Sequence, residues 1–209
     1  GTEAFASLPL ITSFNIPANV STISGGAFCC CVELKSITVD KNNQYFTSEN
    51  GVLFNKNKTT LIQYPLASTN TEYTIPSSVN KICLYAFADA YNLKKINHAN
   101  SITQIDDDAF GQCFNLQDFS IPKNLTVINH GVFHGVRFTN LVLPDKITTI
   151  NDYAFWSCPD LISVTIPSTT TQIGDNAFIG CYKLKTIYGE AGSYAESYAN
   201  AKGYTFIAQ

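Results

Sequence analysis

The sequence predicts a repeat solenoid: a curved, right-handed coil rich in β-structure, with short strands on its concave face, short helical turns, and a C-terminal capping helix plus strand. Three observations predict it. The dipeptide Ala-Phe recurs at Phe5, Phe28, Phe87, Phe110, Phe155 and Phe178, with Val-Phe at Phe133, and the successive spacings are 23, 59, 23, 23, 22 and 23 residues. Apolar residues keep step with each Phe, and Pro closes the stretch that follows in most units. A fixed period of this length marks stacked units, each too small to bury its own apolar face alone.

Each unit opens on a short helical turn that carries the Phe, predicted as a spine of seven stacked rings. Six residues on stands an apolar residue (Ile11, Leu34, Leu93, Leu116, Leu161, Leu184), and nine on another (Phe14, Ile37, Ile96, Phe119, Val164, Ile187). Eleven on comes Ile16, Val39, Ile121 or Ile166, and Pro17, Pro122, Pro144 and Pro167 then end their strands. Spacings of three and then two give the L-x-x-L-x-L signature of a leucine-rich-repeat solenoid, in which a short strand stacks its inward side chains on the next coil. Pro has no amide proton to continue a ladder. A returning wall follows, with Val20 and Ile23, Val79 and Ile82, Leu125 and Ile128, and Ile147 and Ile150. Ser24, Asp106, Asn129, Asn151 and Gly174 then suit a tight turn or a cap for the next Phe turn.

Two segments depart from the roughly 23-residue unit. Residues 40–74 enlarge one repeat, so that the 59-residue interval is one unit of 23 and one of 36; the runs at 51–54 and 59–64 around Asn55-Lys56-Asn57-Lys58 read as a hairpin. Residues 189–209 leave the repeat. Ser193 is placed to cap a helix that Gly203 stops, and Tyr204-Thr205-Phe206-Ile207 reads as a strand. The chain is thus expected to be one repeat domain, capped at its C-terminal end, with further repeats preceding Gly1.

Composition removes several classes of function. A net charge of −3 without any block of like charges excludes the basic footprint of a nucleic-acid binder and a polybasic membrane patch. No apolar run approaches the roughly 20 residues that span a bilayer, so no membrane insertion is expected within this segment. Cys31, Cys113, Cys158 and Cys181 each lie three residues after their Phe and form a column, read as buried thiols packing as hydrophobes. Adjacent coils could also bring Cys158 and Cys181 within reach of a disulfide, whereas zinc-type Cys-x-x-Cys pairs are absent. Cys29, Cys30 and Cys83 stand outside the column.

The string I-P-x-x-V/L-x-x-I-x-x-x-A-F-x-x-C-x-x-L-x-x-I/V resembles the BspA-like leucine-rich-repeat family, as do Gly-Val-Leu-Phe, Leu-Ile-Gln-Tyr-Pro and the ending Gly-Tyr-Thr-Phe. The resemblance covers nearly the whole chain. It implies a curved solenoid on secreted or cell-surface proteins of host-associated bacteria and some parasitic protists, with adhesion as the usual role and no catalytic residue. The departures are His98-Ala99 in place of Ile-Pro, Val136 in place of Cys, and a unit from Phe133 shortened by one residue.

No nucleotide-binding, hydrolase, zinc-protease or EF-hand motif occurs. Asp106-Asp107-Asp108 offers carboxylates but sits where other coils have capping residues, and His130 and His134 lack further ligands for a metal. No catalytic residue, metal or cofactor is assigned. What remains is surface: two rows of strand side chains that alternate with the inward ones. Their candidate binding residues are Asn15, Ser36, Thr38, Lys95, Asn97, Asp118, Ser120, Asn140, Ser163, Thr165, Thr186 and Tyr188. The expectation is a non-enzymatic, monomeric, extracellular or cell-surface module that adheres to a protein or glycan on a host or microbial surface. The alternative is a structural spacer that presents another domain of a larger surface protein. Asn19, Asn57 and Asn124 head glycosylation sequons, which matter only in a eukaryotic secretory host.

Overall fold

The computed structural model describes residue 8 and residues 10–209, and within them the chain winds as a β-solenoid of three walls. The Ala4-Phe5 unit lies outside the described residues. The first wall holds strands β1 (Ser13–Ile16) and β2 (Ser36–Val39). The enlarged repeat follows with β3 (Phe46–Glu49), β4 (Val52–Asn55) and β5 (Thr60–Gln63). From there the chain passes from wall to wall through β6 (Glu72–Thr74), β7 (Lys81–Ile82), β8 (Lys95–Asn97), β9 (Gln104–Ile105) and β10 (Val127–Ile128), with only an isolated bridge at Asp118 on the first wall between β9 and β10. It continues with β11 (Asn140–Val142), β12 (Thr149–Ile150), β13 (Ser163–Thr165), β14 (Gln172–Ile173) and β15 (Thr186–Gly189). Helix α1 (Tyr194–Lys202) and strand β16 (Thr205–Ala208) close the chain.

Parallel pairing between coils follows the repeat. On the first wall β1 pairs β2, β6 pairs β8, and β11, β13, β15 and β16 form one ladder. On the second wall β5 pairs β7 and β7 pairs β9, while β10, β12 and β14 form a separate ladder. The enlarged repeat holds an antiparallel pair of β4 with β5, and β3 adds a further antiparallel strand that the polar, irregular residues 40–50 did not signal.

The third wall differs from the expected short helical turn. Ala27 N–H donates to the Ser24 carbonyl and Cys31 N–H to Phe28, as tight turns do, but no helix forms. Residues two before and two after the Phe are left-handed: Gly26 and Cys30, Tyr85 and Asp89, Asp108 and Gln112, Gly131 and Gly135, Tyr153 and Ser157. A left-handed residue cannot propagate a right-handed helix. Instead the turns ladder with one another, Phe87 N–H donating to Ala109, Phe110 to Val132, Phe133 to Ala154 and Phe155 to Ala177.

Inside this frame the rings stack, but not as seven. Tyr64, 23 residues before Phe87, takes the Phe place in the enlarged unit, and its N–H donates to Ala86 as a Phe would. The column then runs Tyr64, Phe87, Phe110, Phe133, Phe155 and Phe178 with centroids 5.2, 4.9, 5.6, 5.7 and 5.2 Å apart. Phe28 belongs to a second buried cluster with Ile16, Leu34, Ile37, Phe46 and Leu53, set off by the hairpin. At the other end Tyr198 of α1 meets Phe178 edge-on at 6.2 Å and covers the last ring. Ser193 holds the N-cap position but its hydroxyl makes no cap bond; Glu196 accepts from the Gly192 N–H instead, 2.6 Å away, and left-handed Gly203 ends the helix.

The cysteine column is buried as packing requires. Cys113, Cys158 and Cys181 carry free thiols, and each donates to the carbonyl of a Phe one coil earlier: Phe87 at 3.1 Å, Phe133 at 3.2 Å and Phe155 at 3.0 Å. The thiol is therefore a filler with one directed bond. Among the described residues no helix is long and apolar enough to cross a membrane.

Candidate functional site

The strand wall sorts the twelve candidate residues into three groups rather than one continuous strip. Asn15, Ser36 and Thr38 lie on β1 and β2, in register Ser13 to Ser36 and Asn15 to Thr38. Lys95 and Asn97 lie on β8, opposite Glu72 and Thr74 of β6, and a single bridge joins Lys95 to Asp118. Asn140, Ser163 and Thr186 form one row of the C-terminal ladder, with Thr165 and Tyr188 in the next. The hairpin separates the first group from the second. Glu72 and Thr74 of the enlarged unit and Thr205 of β16 extend the rows; reading by Phe spacing missed the first two because they are spaced from Tyr64 rather than from a Phe, and Thr205 because it lies beyond the last Phe unit.

Side chains along the rows bond to one another between coils. Thr38 Oγ1 donates to Asn15 Oδ1 at 3.0 Å, Asn97 Nδ2 to Glu72 Oε1 at 2.5 Å, and Ser163 Oγ to Asn140 Oδ1 at 2.8 Å. Lys95 Nζ lies 3.2 Å from Asp118, an exposed pair worth about 0–1 kcal/mol. His98, standing where other coils have Ile or Leu before Pro, donates from Nε2 to the Ser120 carbonyl at 2.7 Å.

Between the second and third groups the wall parts. Among the described residues no backbone hydrogen bond joins residues 118–121 to β11. The result is an open groove of about 820 Å³, walled by Asp118, Ser120 and Lys123 on one side and Asn140, Val142 and Lys146 on the other, over a floor of Phe119, Phe138 and Leu141. Both charges and an exposed Val142 side chain line it, so it offers polar rims over apolar surface.

The carboxylates and imidazoles weighed as metal ligands have structural partners. Asp106 pairs with Lys81 at 3.0 Å, Asp107 accepts the backbone N–H of His130 at 3.2 Å, the His130 ring packs on Tyr153, and Asp108 lies 3.4 Å from His134. Among the described residues no group of three or more His, Cys, Asp or Glu is arranged to hold a metal ion. Burial draws the His134 imidazole down, but hydrogen bonds to Asp108 and to the Gly131 carbonyl outweigh it and set the group above its ordinary value.

A family model described as BspA type leucine rich repeat region matches residues 1–72 and 63–185, in six copies. A leucine rich cell surface protein of Faecalibacterium prausnitzii has a TM-score of 0.82 at 32% identity, over 91% of this chain and 50% of that one. The pneumococcal vaccine antigen PcpA shares the fold, with a TM-score of 0.83 at 24% identity over 99% of this chain and 58% of the antigen. A leucine-rich repeat protein of Eubacterium ventriosum gives a TM-score of 0.61 at 28% identity, over 81% of this chain and 58% of that protein. The chain thus spans 50% to 58% of the length of these proteins. No curated protein sequence matches it.

Proposed function

Because the chain belongs to the BspA-type leucine-rich-repeat family, we propose that it is a non-enzymatic interaction module of a cell-surface or secreted protein, binding a protein or glycan on a host or microbial surface. The observation that carries this is the groove in the strand wall, the place where polar candidates from two ladders face one another over apolar surface. Binding through such a face draws on area and on repetition along the array rather than on a few strong charges. The family's presence on a leucine rich cell surface protein supports the location.

The test is binding of the purified chain to arrayed extracellular-matrix proteins, mucins and glycans, beside a variant carrying Ser120→Glu, Asn140→Glu and Thr165→Glu. Saturable binding by the parent that the variant loses establishes the strand face. No binding at high concentration moves the reading to a spacer, and binding that survives the three charges moves it to another wall.

A further inference from the structure

We propose that a cavity on the turn wall, between the Phe110, Phe133 and Phe155 turns, is a binding site for a small organic ammonium ion, held between aromatic faces over one carboxylate. It stands apart from the strand face and involves none of its residues.

Gly131, without a side chain, lets the Asp108 carboxylate lie against its backbone at the edge of the cavity. In the coils on either side the same position holds Asp108 and Tyr153, and the void of about 210 Å³ between them is closed by His130, His134 and Trp156. Gly131 is left-handed, and a Cβ there would meet Asp108 Oδ1, so the carboxylate takes the place that a side chain would fill and borders the cavity. The rings are held by one another: His130 lies 5.2 Å from Tyr153, His134 5.7 Å from Trp156, and Tyr153 and Trp156 meet edge-on at 6.2 Å. Trp156 and Tyr153 remain exposed to solvent at the rim, although large aromatic side chains gain most from burial.

The chemistry of the lining selects the ligand. His134 Nδ1 donates to the Gly131 carbonyl at 2.9 Å and the His130 ring packs on Tyr153, and no third ligand joins them to hold a metal ion among the described residues. Nothing in the lining resembles a metal's oxygen shell, and a sugar would find few directed polar partners. Aromatic faces attract cations through their quadrupoles, most strongly where water is excluded, and a quaternary ammonium also gains from contact with apolar rings. The Asp108 carboxylate supplies the counter-charge once His134 is neutral.

Trp156 is the sole tryptophan of the chain, so its emission, excited selectively over the tyrosines, reports on the rim of the cavity. Tetramethylammonium chloride is titrated into the intact protein in a series of buffers from neutral to alkaline pH, along which His134 loses its proton, with sodium chloride at matched ionic strength and tert-butanol as the uncharged analogue. A saturable change with tetramethylammonium only is expected, unaltered in the strand-face variant. Asp108→Asn keeps the shape and suits the left-handed backbone at φ 51°. It should weaken the response roughly tenfold or more, as should Tyr153→Ala, each confirmed folded by circular dichroism. The proposal is overturned by an unsaturable response, an equal response to sodium chloride or tert-butanol, undiminished affinity in Asp108→Asn, or a saturable response to a neutral monosaccharide in place of the ammonium ion.

Discussion

At the scale of single residues, the cysteine column and the His134–Asp108 pair make claims that chemistry can check. Burial pushes the Cys113 thiol up to about 12 and raises Cys158 as well, and both side chains are inaccessible. Only thiolate reacts with alkylating reagents, so a native protein should be labelled at exposed Cys30 while Cys113 and Cys158 remain unmodified until denaturant unfolds the chain. Mass spectrometry of the labelled peptides decides it, and rapid native labelling of Cys113 would contradict the packing described. His134 titrates above its ordinary value of 6.5 in the folded state. A raised folded value means that the pair stabilises the protein fully below the unfolded value and loses that contribution as pH rises through the folded one. Denaturation midpoints measured across this window should fall toward alkaline pH, and Asp108→Asn should flatten the trend. The cysteine column was legible in the sequence because it keeps the Phe spacing. The ion pair was not, since Asp108 and His134 belong to different coils and nothing in a linear reading tells which turn residues of successive coils touch.

At the scale of the element, the turn that carries each Phe shows where local pattern misleads. Ala-Phe followed three residues later by Cys has the apolar spacing of one helical turn, yet left-handed residues flank the Phe and the structure is a laddered turn. The sequence carries the signal only where Gly fills those places; Tyr85, Gln112 and Tyr153 fill them with residues that ordinarily avoid the conformation. A side chain in this region costs about 1–2 kcal/mol, which the hydrogen bonds between successive turns must offset. Gly180→Ala should therefore destabilise by about 1–2 kcal/mol, since φ is 78° and its Cβ would also stand 2.7 Å from Ser157 Oγ. The exposed Gln112, at φ 58°, offers the reverse test. Gln112→Gly should be neutral or stabilising by up to about 1 kcal/mol, because the relief of strain is partly offset by the greater freedom of Gly in the unfolded chain. Equal losses from both substitutions in urea denaturation would mean that backbone conformation does not govern these turns. Tyr64 is the converse case: the stack has a ring 23 residues before Phe87, but a tyrosine supplies it, so the Phe period alone does not mark that place.

At the scale of the whole molecule, the period of the sequence foretold a stack but not where the stack is weak. Both strand walls break at one boundary, between the coil of Phe110 and the coil of Phe133: β9 pairs only β7, β10 pairs only β12, and β11 pairs only β13. Backbone bonds across it come from the turn wall, where Asp108, Phe110 and Gln112 donate to His130, Val132 and His134, and from Arg137 to Leu116. The coil beyond the boundary is the one shortened by a residue, and its arc reaches β11 through Phe138, which packs on Phe133 and Phe155 in place of the usual Leu. In intact stretches the inward strand residues are bonded to the next coil: Ile75 N–H to Asn97, Ile96 to Asp118, Leu143 to Thr165 and Ile166 to Tyr188. Phe119 and Ile121 occupy equivalent places at the boundary and have no such acceptor, although their side chains are buried. Their amides should therefore exchange with solvent far faster than those of Ile96 and Ile166 under native conditions. Because a repeat array divides its stability among neighbouring interfaces, the boundary should also uncouple the two halves. Phe87→Ala, costing about 3–5 kcal/mol, should then lower exchange protection on the N-terminal side while Ile166 keeps most of its own. If Phe119 and Ile121 prove as protected as Ile166, or if the substitution unprotects both halves equally, the solenoid is one cooperative unit and the groove in its strand wall is closed in solution.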